Sequence, residues 1–220
     1  MSFDRLAPFY RGMELFTAGG KLQRCRMAFL NDIPPPAKIL LVGEGHGRFL
    51  PECVRCFPEA EIVILDISAK LLKIARSKVD SDRVEFIHTD FLQWNGSPSG
   101  FDLIVTNFFL DCFTADQLTL VISKLGDLAT PDAQWWLADF EIAPTPLAGL
   151  RSRLIIGMLY IFFRLVTGLE ARTLIPPEGD LEKAGFFLYR RQTYDWGLLK
   201  SEWWRRNSQN LQRRTETLAN

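Results

Sequence analysis

Apolar residues follow two rhythms along this chain. Short aliphatic runs, KILLV (38–42), EIVILD (61–66), RVEFIHTD (83–90) and FDLIVTN (101–107), alternate with RFLPECVRCF, SAKLLKIARSKV and TADQLTLVISKLGDLA, whose apolar positions fall at helical spacing. Continuous runs separated by amphipathic helices predict parallel strands joined by crossovers, each strand buried on both faces. AQWWLADFE (133–141) predicts a fifth strand, and GFFLYRRQTY with LLKSEWWRR predicts a terminal hairpin. Within these strands Trp135–Trp136 and Trp203–Trp204 place one ring on each side of the sheet.

The flanks are helical. FDRLAPFYRGMELF and GGKLQRCRMAFL predict two helices before the first strand, ended by the rigid Ile33-Pro34-Pro35-Pro36 connection. LIIGMLYIFF, from Leu154 to Phe163, is strongly apolar, but Arg153 and Arg164 bracket it. It falls short of the roughly 18 to 20 residues of a spanning helix and predicts a buried or interfacial one. The chain reads as one domain: an N-terminal helical lid (1–36), a core (37–141), and helices with terminal strands (142–220).

Composition narrows the function classes. Twenty-six basic and 26 acidic side chains and a pI near 6.7 leave no overall basic footprint for nucleic acid. Basic residues beyond Trp204, including Arg205, Arg206, Arg213 and Arg214, read as a solvated terminus. Four irregularly spaced cysteines, Cys25, Cys53, Cys56 and Cys112, make no disulfide framework and fit a reducing cytoplasm. The Cys53–Cys56 pair lacks the second pair a zinc site needs, so no metal is expected. The acid-containing N-terminus does not read as a signal peptide.

Chemistry concentrates in ILLVGEGHGRFL (39–50), where Gly43, Gly45 and Gly47 follow the first strand. At the carboxyl end of a parallel strand, glycines permit positive φ and a close backbone approach, and the next helix start offers N–H groups to an anion. A dinucleotide fingerprint needs glycine where Arg48 stands, and the phosphate-cradling G-x-x-x-x-G-K-[ST] is absent.

The remaining G-x-G-x-G, with acids ending the next strands, resembles the class I S-adenosylmethionine-dependent methyltransferases. The resemblance covers residues 37–141. It implies a Rossmann-like α/β fold, a mostly parallel seven-stranded sheet with helices on both faces and an antiparallel terminal hairpin, with S-adenosylmethionine as cofactor. It also implies that Asp66, with Ile67 beside it, receives the ribose hydroxyls, that Asp90 and Phe91 hold the adenine, and that Asn107 lies below the methionine part. The family has an acid two positions before the first glycine. This chain has Leu41 there, and Glu44 either takes over that duty or faces solvent.

Local alternatives accompany these roles. Asp66 can belong to a helix cap and Asp90 can close a turn. Asp111, beyond the fourth strand, is the first candidate to touch an acceptor, with Asp139 and Glu141 behind it; its alternative is a cap for the helix near Thr114. His88 reads as a satisfied core side chain and His46 as a solvated loop residue. Phe3, Asp4, Ala7 and Tyr10 resemble the opening helix of ubiquinone and menaquinone biosynthesis methyltransferases, which implies that Tyr10 closes over the sulfonium. Phe108, Phe109, Phe113 and the Leu154–Phe163 helix would roof a pocket for a small aromatic or lipid-like acceptor. That helix also suits a homodimer face or peripheral membrane contact. An NAD(P)-dependent oxidoreductase and a non-catalytic cofactor-binding module are the rival readings.

Overall fold

A computed structural model of the chain describes residues 20–96 and 99–206. The expected first helix and Tyr10 lie outside the described residues, as do Arg213 and Arg214. In chain order the elements are α1 (Gly20–Arg26), β1 (Lys38–Val42), α2 (Leu50–Cys56), β2 (Glu61–Asp66), α3 (Ala69–Arg76), β3 (Val84–His88), β4 (Phe101–Asn107), α4 (Ala115–Leu128), β5 (Ala129–Phe140), α5 (Pro146–Thr167), α6 (Glu178–Lys183), β6 (Phe186–Tyr194) and β7 (Leu199–Arg206). Short 3-10 turns occupy Leu110–Cys112 and Asp195–Gly197.

The seven strands form one sheet in the order β3-β2-β1-β4-β5-β7-β6. Parallel pairing runs from β3 to β5, and β7 inserts antiparallel between β5 and β6. Alternate side chains of each central strand enter opposite cores, which explains the continuous apolar runs. Leu40, Val42, Ile104, Trp135 and Trp204 pack on one face, and Ile39, Leu41, Val105, Trp136 and Trp203 on the other. All four tryptophans are buried, so both faces of the sheet are covered where they stand. Their indole N–H groups find Thr106, Ser201, Gln134 and Glu202, as buried indoles must.

This register also explains the departure at position 41. Leu41 pairs with Ile64 and Val105 and is 1% exposed in the core away from the glycine turn. An acid there would be a buried, unpaired charge.

Several expectations change. Helix α5 runs for 22 residues, from Pro146 in its first turn to the left-handed Gly168 that caps it at φ 74°, and stays helical through Gly149, Arg151 and Ser152. The argument that it is too short to span a membrane therefore fails on length. Strand β3 stops at His88, which is exposed at the sheet edge with Nε2 against the Ile67 carbonyl at 3.0 Å, and not in the core. Arg206 belongs to β7 and donates to the Gly126 and Ala129 carbonyls at 2.8 and 3.3 Å, while Arg205 stacks over Tyr189.

Candidate active site

The strand order reverses between β1 and β4, and at that switch point the carboxyl ends of β1, β2 and β4 open into a cavity of about 450 Å³. Two groups of residues line it. Gly43, Gly45, Asp66, Ile67, Asp90 and Phe91 come from the ends of β1, β2 and β3; Asp111, Phe113, Phe140, Tyr160 and Phe163 come from beyond β4 and β5 and from α5, with Phe109 between the groups, against Gly43 and Phe91.

The glycine turn is built for close approach. Gly43, Gly45 and Gly47 have φ of 69°, 62° and 63°. A Cβ on Gly43 would stand 2.5 Å from the Phe109 ring, so the backbone itself forms the wall there. Gly47 does not reach the cavity: a Cβ on it would meet Ala75 at 2.7 Å, so its smallness serves to pack the loop on α3. His46 is half-buried and lines a separate shallow pocket with Arg48 and Lys78.

Asp66 does more than end β2. One carboxylate oxygen accepts the Gly45 amide at 2.9 Å and the other accepts the Ser68 amide at 2.8 Å. The first bond holds the glycine turn and the second fixes the start of α3, whose Ser68 hydroxyl in turn accepts from the Leu71 amide. A carboxylate has about four acceptor positions, so this cap is compatible with receiving hydroxyls from the cavity. Asp90 likewise both closes a turn, accepting the Leu92 amide at 3.0 Å, and lines the cavity.

Glu44 takes neither of its expected places. Its Oε1 accepts the Phe49 and Leu50 amides at 2.8 and 3.1 Å, capping α2, and it is not among the cavity-lining residues. Burial pushes its carboxyl up to about 7, against the lowering charge of Arg26 and these two amide bonds.

Asn107 ends β4 with a different signature. Both amide atoms are buried without a hydrogen-bond partner among the described residues. One donor and one acceptor left together are unusual in a folded interior, and Asn107 is not among the cavity-lining residues. The next residue, Phe108, is held at φ 54° with Arg26 over its ring at 4.9 Å, and its amide donates to Ala138 at 2.7 Å. Strain of this kind in a non-glycine residue persists where the surroundings impose it. The backbone wall at Gly43 and Gly45, with no Cβ in the way, fits a close approach by S-adenosylmethionine. Asp66 fits its ribose and Asp90 with Phe91 its adenine, while Gly47 and Glu44 act by shaping the loop.

In the second group, Asp111 sits on the 3-10 turn and lines the cavity, and the cap of α4 falls to Gln117, which accepts the Thr114 amide at 3.1 Å. Asp139, 3% exposed, stands near Asp111. Burial raises both carboxyls, and the charge of Asp111 raises Asp139 further, so the pair resists double ionisation. Glu141 is committed elsewhere, to Arg191 at 3.2 Å. Tyr160, Arg26 and Gln117 were not singled out by sequence. Tyr160 was hidden as one aromatic in an apolar run, and Arg26 arrives from a helix far upstream. Among the described residues no cluster of histidine, cysteine and acidic groups is arranged to hold a metal.

Known proteins share this fold. The methyltransferase domain family matches residues 39–132. A malonyl-[acyl-carrier protein] O-methyltransferase of Halalkalibacterium halodurans is 36% identical over 101 residues, 44% of this chain and 36% of that protein. A demethylmenaquinone methyltransferase of a Roseiflexus species is 25% identical over 177 residues, 78% of this chain and 69% of that protein. The chain thus spans little more than a third of the first relative and about two thirds of the second. In three dimensions it is similar to the mitomycin 7-O-methyltransferase, with a TM-score of 0.66 at 18% identity over 94% of this chain and 61% of that one. An O-methyltransferase family protein from Burkholderia thailandensis gives 0.68 at 18% identity over 93% and 62%. The sheet order is the fold these structures share, and the glycine turn falls inside the segment that matches the methyltransferase domain family.

Proposed function

We propose that the protein transfers the methyl group of S-adenosylmethionine to a small aromatic or lipid-like acceptor held between β4, β5 and α5. One observation carries this reading: a single cavity joins polar strand-end residues suited to the adenosyl cofactor with a wall of Phe113, Phe140 and Phe163. When bound, the cofactor supplies a methyl group already activated by its sulfonium. The protein's main task is then to orient the acceptor and keep water out.

Asp66, Asp90 and Phe91 would hold the adenosine, and Gly43 and Gly45 would let the methionine end approach the backbone. Asp111 is placed to take the proton of an acceptor hydroxyl or acidic carbon. Asp139 behind it limits the pair to one easily formed charge, which keeps the base available near neutrality. The demethylmenaquinone methyltransferase among the relatives makes quinone-like phenols the first acceptors to try. A net charge of zero and the apolar cavity wall speak against nucleic acid as a partner, and four unbridged cysteines support the cytoplasm as the compartment.

Titration calorimetry with S-adenosylmethionine, S-adenosylhomocysteine and NADH tests the cofactor half. Micromolar binding of the adenosyl pair alone, lost in Asp66→Ala with the melting temperature as fold control, is expected. Binding of NADH instead would turn the reading to an oxidoreductase. Adenosyl binding without turnover across phenolic and lipid-like acceptors would leave a non-catalytic cofactor-binding module.

A further inference from the structure

Helix α5 is apolar on two opposite sides. Ile156, Leu159, Tyr160 and Phe163 line the cavity, while Leu147, Leu150, Leu154, Met158, Ile161 and Leu165 are 59 to 86% exposed. The exposed six are spaced three or four residues apart. At 100° per residue they gather within about 80° of arc and form a ridge roughly 27 Å long. A core helix of this composition would be hidden, yet only 22% of its most apolar stretch is buried.

The charges carried by the helix itself have one sign. Helix α5 contains Arg151, Arg153 and Arg164 and no acid. On the same wheel Arg153 and Arg164, both exposed, flank one side of the ridge and Arg151 the other. Asp195 pairs with Arg151 at 2.9 Å, which leaves Arg153 and Arg164 as the exposed cations. Trp196, 80% exposed, lies under Arg151 with the guanidinium 5.9 Å from its ring centre. Leucine-rich surface, flanking arginines and an exposed tryptophan are the composition of a helix lying in the headgroup boundary of a bilayer.

The opposite face rules out a spanning helix. Tyr160 bonds Asp111, the Ser152 hydroxyl accepts the Ala143 amide, and Arg151 holds Asp195, so α5 cannot leave the sheet without dismantling the domain. Self-pairing through the ridge would bring arginine flanks together with no acid on either helix, whereas lipid phosphates supply the missing charge.

We propose that the outer face of α5 docks the protein on an anionic lipid surface. The lipid-like acceptor then enters from that surface, along the helix whose inner face lines the cavity. The entry step rests on the methyltransferase reading; the docking step does not.

Flotation of the full chain with phosphatidylcholine vesicles, with and without phosphatidylglycerol, tests it against the double variant Leu154→Glu/Met158→Glu. Neither side chain lines the cavity, so S-adenosylhomocysteine titration serves as the fold control. The wild-type chain is expected to float with the anionic vesicles, and the variant to bind them on the order of 100-fold more weakly with unchanged S-adenosylhomocysteine affinity. No flotation of the wild type overturns the proposal. A dimer in gel filtration that the same variant dissociates identifies a second copy as the occupant and overturns it as well. Flotation without any adenosyl binding would leave docking standing and sink the methyltransferase reading alone.

Discussion

The Tyr160 hydroxyl donates a 2.8 Å hydrogen bond to the main-chain carbonyl of Asp111. One bond thereby ties the helix that walls the acceptor end to the turn that carries the candidate base. Burial and the charges of Asp111 and Asp139 push the phenol well above its ordinary range, so it serves as a fixed donor and does not titrate in the working range.

Tyr160→Phe should loosen the turn while keeping the ring in place. A lost hydrogen bond of this kind costs about 1 kcal/mol, so kcat should fall roughly fivefold to tenfold with the affinity for S-adenosylhomocysteine unchanged. Steady-state kinetics beside calorimetry decide the matter. An equal loss in both would place Tyr160 at the cofactor end instead.

The Asp111 and Asp139 carboxyls, both raised by burial, make stability depend on pH in a definite direction. Folding favours their protonated forms, so the contribution is fully present below the ordinary carboxyl range and is lost as pH rises through the raised folded values. Asp139→Asn removes one ionisation from the pair. Urea unfolding across mildly acid to mildly alkaline pH should show a smaller loss of stability in this variant than in the wild type. Asp111→Asn should lower turnover of a phenolic acceptor by about 100-fold or more, which a merely structural carboxyl would not do.

Glu44, raised to about 7, follows the same sign: its favourable contribution fades as pH climbs through that value. Glu44→Gln keeps an oxygen for the Phe49 and Leu50 amides and removes the charge. The variant should match the wild type in acid and exceed it in alkali by up to roughly 3 kcal/mol, measured as melting temperature against pH. A uniform loss at every pH would show that the charge itself is needed at the α2 start.

Gly47→Ala should be costly without touching the cavity. The added methyl would stand 2.7 and 2.8 Å from Cβ and Cα of Ala75, at a φ of 63°. Because a main-chain atom is among the neighbours, Ala75→Gly cannot relieve it. A loss of about 2–4 kcal/mol in chemical unfolding is expected, with residual cofactor affinity close to normal once the folded fraction is accounted for.

Legibility followed the range over which each residue acts. The strands from β1 to β5 were readable because burial on both faces leaves unbroken aliphatic runs, and Asp66 and Asp111 because strand ends mark them. Glu44 was misplaced because only folding shows that the loop curls back and brings its carboxylate over the α2 amides. The span of α5 was cut short because Gly149, Arg151 and Ser152 dilute the apolar pattern while staying helical. Tyr160 and Arg26 depend on contacts between distant segments, which no local pattern encodes.

The two groups of cavity-lining residues also follow one another along the chain. Most of the first comes from residues 43 to 91, and much of the second, from Phe140 through Tyr160 to Leu174, lies beyond residue 132, where the family match stops. The family match therefore takes in the glycine turn and Asp66 but none of the cavity wall that α5 contributes, so likeness across that segment says nothing of what the wall admits.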